Sequence, residues 1–96
     1  MIPRITDIIN KNISLFDNFK RVFLFGSIVK HGVSTNDIDI LLVYTNLDEK
    51  TVSDLKNIRQ VLTQEIGIPV DLTVLSESEC EEMNFLSKIK KIVTLK

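Results

Sequence analysis

This sequence is poor in the residues that carry cross-links, metal thiolates and imidazole chemistry. A single cysteine, Cys80, rules out an internal disulfide and a thiolate metal cluster, and suits a reducing cytoplasm. One histidine, His31, leaves no imidazole cluster for zinc; it reads as a loop residue. Twelve Lys and Arg stand against thirteen Asp and Glu, a formal net charge of -1 with no long run of one sign. That balance gives no support to general nucleic-acid binding, which needs clustered cations along a phosphate backbone. The apolar runs fall far short of the ~18 to 20 residues of a membrane span, and nothing reads as a signal peptide. A soluble cytoplasmic protein is expected. Only three glycines and two prolines interrupt the 96 residues, so an uninterrupted succession of helices and strands is expected.

What is present is apolar material at regular spacing. The 44% hydrophobic and 26% charged composition fits one domain over residues 1–96, which would bury about 60 to 65% of its unfolded surface. Ile5, Ile8, Ile9, Ile13 and Phe16 recur at helical spacing and predict a helix over residues 4–17, with Pro3 tolerated at its start. "RVFLF", residues 21–25, is apolar on both faces and predicts an interior strand. "IDILLVY", residues 38–44, predicts a second strand, with Ile38, Ile40 and Leu42 on one face and Asp37, Asp39, Leu41 and Val43 on the other. A helix over 49–66 follows, stopped by Gly67 and Pro69, then a strand "VDLTVL" over 70–75. An acid-first, lysine-last helix from Glu77 toward Lys88, Lys90 and Lys91 and a short strand with Val93 and Leu95 complete the chain. The order predicts an α/β (α+β) layer structure with a small mixed sheet flanked by helices.

The charges beside the second strand are the informative feature. The link over 26–36 most simply returns the chain antiparallel, and a helical crossover sets the third strand parallel to the second. Gly26 and Ser27 then meet Asp37, Asp39 and Asp71 at one sheet edge. Burying unpaired carboxylates there is costly, so cations are expected to neutralise them. An all-oxygen donor set suits Mg²⁺, which shares its coordination with substrate phosphates. Gly26 permits close backbone approach to a phosphate, and Ser27 offers a hydroxyl and an amide. Two metals bridged by Asp37 and Asp39 would serve an in-line phosphoryl displacement. Singly, these acids also read as a turn residue and strand-end acids, Gly26-Ser27 as an ordinary turn, and Cys80 as a helix residue without nucleophile context; the ordered set favours chemistry.

"GS", nine intervening residues, "DID" and the later "VDLTVL" resemble the signature of the polymerase-β-like nucleotidyltransferase superfamily. The short length resembles its minimal nucleotidyltransferases, antitoxin-type partners of HEPN-domain proteins. The resemblance implies that fold, with Asp37, Asp39 and Asp71 as catalytic and metal residues for two Mg²⁺ ions. It also implies Gly26 and Ser27 as triphosphate holders, and transfer of AMP from ATP to a hydroxyl of a HEPN toxin, a tyrosine. Many relatives read "GSxARG", whereas this chain reads "GSIVKHG", with a loop before "DID" about one residue shorter. Lys30, near the usual arginine, brings charge to a phosphate without a bidentate fork. A masking antitoxin of the same fold without chemistry is the alternative. Self-association or a toxin complex could use apolar faces of the first or last helix.

Overall fold

The two apolar faces of "IDILLVY" decide the architecture, because a strand buried on both sides must sit inside a sheet with material above and below. The computed structural model describes residues 2–26, 38–82, 84 and 92–96. In it the elements run α1 (Ile2–Lys11), a 3-10 turn (Ile13–Phe16), β1 (Phe19–Phe25), β2 (Ile38–Tyr44), α2 (Glu49–Ile66), β3 (Val70–Ser76), α3 (Glu77–Glu82) and β4 (Ile92–Thr94). The strands form one sheet in the order β3-β2-β1-β4. β1 pairs antiparallel with β2 and with β4, whereas β3 pairs parallel with β2. This is the expected mixed sheet, and β1 lies inside it as its two apolar faces required.

Alternation along the strands divides the interior into two layers. Val22 and Leu24 of β1 and Ile38, Ile40 and Leu42 of β2 join Ile5 and Ile9 of α1, Phe16, Phe19, and Ile58, Leu62 and Ile66 of α2 in the main core. The other face holds a smaller cluster of Phe23, Leu41, Val43 and Leu75, with Phe25 and Cys80 packed against it. Among the described residues no helix is long and apolar enough to cross a membrane.

The termini of the helices follow from local chemistry. The helix expected over 4–17 ends at Lys11, and the chain tightens into a 3-10 turn. Asn12 is the cause: its side-chain amide donates to the Ile8 carbonyl at 2.9 Å and to Glu65 Oε2 at 2.8 Å, competing with the helical ladder and tying the turn to α2. α2 spans its expected residues. Asp48 caps it, accepting from the Thr51 backbone N–H at 2.8 Å. Its last turn closes on Gly67, left-handed at φ 82, whose N–H donates to the Thr63 carbonyl. Ser76 and Glu79 form a capping box at α3, the Ser76 N–H donating to Glu79 Oε1 and the Glu79 N–H to Ser76 Oγ, both at 3.0 Å. α3 extends to Glu82; the lysine-rich continuation expected at Lys88, Lys90 and Lys91 lies outside the described residues.

The two caps and the Lys20–Glu77 ion pair contribute to the response to acid. The Thr51 backbone N–H holds the Asp48 carboxyl below its ordinary 3.8, the Lys20 hydrogen bond lowers Glu77 below 4.5, and the Ser76 N–H lowers Glu79 below 4.5. Folding depresses all three, so below about pH 4.5 these three groups bind more protons in the unfolded chain than in the folded one. Their stabilisation is complete above that pH and is lost as pH falls through the folded values. Urea midpoints measured from pH 7 to pH 3 should fall, and Glu79→Gln should flatten that slope. An unchanged midpoint at pH 3 would contradict the assignment.

Candidate functional site

The site grows from one position on the central strand. Asp39 is the second residue of β2, placed by register opposite Phe25 of β1 on one side and opposite Asp71 of β3 on the other. Residues in register on adjacent strands project to the same face at a spacing of about 4.8 Å. Asp39 and Asp71 therefore share the face of Phe23, Leu41 and Val43, opposite the α1 and α2 layer. Asp39 is half-buried and Asp71 exposed. Two carboxylates directly opposite each other repel, and the same pair of hard oxygen donors suits a divalent cation. The Ile38 N–H donates to the Pro69 carbonyl at 2.9 Å and locks the strand starts that bring them together.

Gly26 completes the described part of the site. It follows β1 at φ 83, and a Cβ built there would overlap Asp39 Oδ2. Only glycine lets the chain leave β1 in this conformation while the Asp39 carboxylate keeps its place. Among the described residues no group of three or more histidine, cysteine or carboxylate side chains is assembled. Asp39 and Asp71, two of the three residues expected as ligands, stand in register; Asp37, Ser27 and Lys30 lie outside the described residues, as does His31. The carboxylate pair fits Mg²⁺ by donor chemistry.

A second concavity on the same face was not anticipated from the sequence. A cleft of about 130 Å³ is lined by Arg21, Phe23, Val43, Glu77, Cys80 and Glu81. Its signal was the Ser76-x-x-Glu79 capping box, which starts α3 directly at the end of β3 and folds it over the sheet. The Lys20 and Glu77 side chains pair at 2.7 Å on the same face.

Comparison with known proteins agrees with this fold. The family described as polymerase beta, nucleotidyltransferase matches residues 4–94. No curated protein matches significantly. Among solved structures, a candidate nucleotidyltransferase from Sulfolobus solfataricus is 30% identical, with a TM-score of 0.52 over 97% of this chain and 79% of that one. One chain of a toxin-antitoxin MntA-HpeT mutant is 20% identical, with a TM-score of 0.59 over 91% of this chain and 71% of that one. A tri-AMPylated Shewanella oneidensis HEPN toxin in complex with MNT antitoxin gives 21% identity and a TM-score of 0.56, over 96% of this chain and 71% of that one. At such identities the last two bear on the fold alone. With strand order, carboxylate register and the match over residues 4–94 in agreement, the chain belongs to the polymerase beta nucleotidyltransferase family.

Proposed function

We propose that the protein is a Mg²⁺-dependent nucleotidyltransferase that moves AMP from ATP to a hydroxyl of a partner protein, a HEPN toxin, and so acts in the cytoplasm as its antitoxin. The observation that carries the reading is the in-register pair Asp39 and Asp71 with Gly26 against the Asp39 carboxylate. Asp37, Asp39 and Asp71 would hold two Mg²⁺ ions. When bound, the ions supply charge stabilisation of the attacking and leaving oxygens. Asp71 accepts the proton of the acceptor hydroxyl, Gly26 and Ser27 bring backbone and hydroxyl donors to the triphosphate, and Lys30 adds positive charge beside it. The new ester bond joins the acceptor oxygen to the α-phosphorus, and pyrophosphate leaves.

Two solved relatives of the fold support the partner: one is a toxin-antitoxin pair and the other an AMPylated HEPN toxin with its MNT antitoxin. The test is transfer of label from α-³²P-ATP with Mg²⁺ to a co-purified partner, beside Asp37→Asn and the other three nucleotides. A labelled partner band with the wild type alone is expected. If every nucleotide is silent while the complex forms, the protein neutralises its partner by masking it.

A further inference from the structure

Among the described residues, β3 forms one edge of the sheet. It is seven residues long, and "VDLTVLS" contains no proline or lysine and one charge, Asp71. Edge strands are normally guarded by such residues, by bulges, or by a covering element. α3 does not run along this edge, because it turns inward: Glu77, Cys80 and Glu81 form one cleft with Arg21 and Phe23 of β1 and Val43 of β2. Leu72, Thr73 and Val74 are all half-exposed.

The direction of the backbone groups follows from one hydrogen bond. The Ile38 N–H donates to the Pro69 carbonyl, and Ile38 lies opposite Val70. In a parallel ladder the bonding residues then alternate, so the N–H and C=O of Asp71, Thr73 and Leu75 point toward β2. Those of Leu72 and Val74 point away from the sheet.

We propose that β3 pairs antiparallel with β3 of a second copy of this chain, about a two-fold axis at Thr73, to make a continuous eight-stranded sheet. That register sets Leu72 opposite Val74 twice, as hydrogen-bonded pairs that use the outward backbone groups. Thr73 faces its own copy as a non-hydrogen-bonded pair, and Asp71 faces Leu75. No like charges meet, and Leu72 and Val74, which pack against the main core, close its open margin. The strand is its own complement, which is why a second copy is the occupant argued for. Shifting the axis to Asp71 or Leu75 keeps the same alternation but shortens the overlap.

Cysteine placement tests the register. In a Cys80→Ser background, Thr73→Cys should cross-link on oxidation to a species of about 22 kDa, twice the 11.0 kDa chain. The non-hydrogen-bonded pair separates Cα atoms by about 4.5 Å, within disulfide reach. Asn57→Cys, exposed on α2, should remain monomeric. Val74→Pro removes an outward donor, a change that edge strands tolerate, together with part of the Val74 packing against the core; it should halve the mass measured by light scattering, and Val74→Ala, which loses the packing but keeps the N–H, should stay dimeric. A Thr73→Cys yield no greater than that of Asn57→Cys, or a wild type already monomeric, would overturn the proposal and leave the edge to a strand from a different protein.

Discussion

Asp39→Asn should lower nucleotidyl transfer by at least about 100-fold and leave the chain folded. Even loss of a group that only orients a metal ligand typically costs about 10- to 100-fold, and Asp39 stands between Gly26 and Asp71 in the proposed site. The sign of the stability change separates chemistry from structure. Without metal, the variant relieves a like-charge pair across neighbouring strands, worth roughly 0.2–1 kcal/mol, so its unfolding midpoint should hold or rise. With Mg²⁺ the wild type should gain stability by mass action, about 2.7 kcal/mol at a hundred times the dissociation constant, and Asp39→Asn should gain far less. Thermal melts with and without Mg²⁺, beside the transfer assay, read both effects. A variant that unfolds without metal would assign Asp39 a structural role, and one that retains transfer would remove it from the active site.

Gly26→Ala is expected to damage stability and transfer together. Its left-handed backbone, at φ 83, costs an L-residue about 1–2 kcal/mol. The new methyl group also meets the Asp39 carboxylate, and such overpacking adds roughly 1–3 kcal/mol. Moving Asp39 by even about 1 Å can reduce the rate on the order of 100-fold. Gly67→Ala is the control. It shares the left-handed conformation at φ 82 but has nothing within 4 Å of the added Cβ, so it should lose only the backbone contribution and keep its activity. Pairing Gly26→Ala with Asp39→Ala should recover the overpacking share of the stability loss, because the two residues are in contact. If Gly26→Ala and Gly67→Ala lose equal stability in denaturant titrations, the proposed contact does not constrain Gly26.

The elements that could be read along the chain are those whose signals are local. β2 and α2 match their expected spans because a two-faced apolar run and a capped apolar stripe are each complete within their own residues. α1 falls short of its expected length because the decisive contact, Asn12 to Glu65, joins residues far apart in sequence. The strand directions were legible too, since a short link favours an antiparallel return and a helical crossover a parallel one; the observed pairing agrees.

For the candidate site, the order of residues along the chain was enough to pick out residue types suited to phosphoryl chemistry and the spacing of Gly26, Asp39 and Asp71 along the strands. It was enough because strand alternation assigns each acid to a face before any packing is known. The docking of strands sets Asp39 and Asp71 in the same register and puts the Asp39 carboxylate in the space a Gly26 side chain would need. Docking also folds α3 inward to make a cleft and leaves β3 an edge among the described residues. These depend on how separate segments dock, which local periodicity does not encode: a one-residue change of register would leave every local pattern intact and turn the acids away from each other.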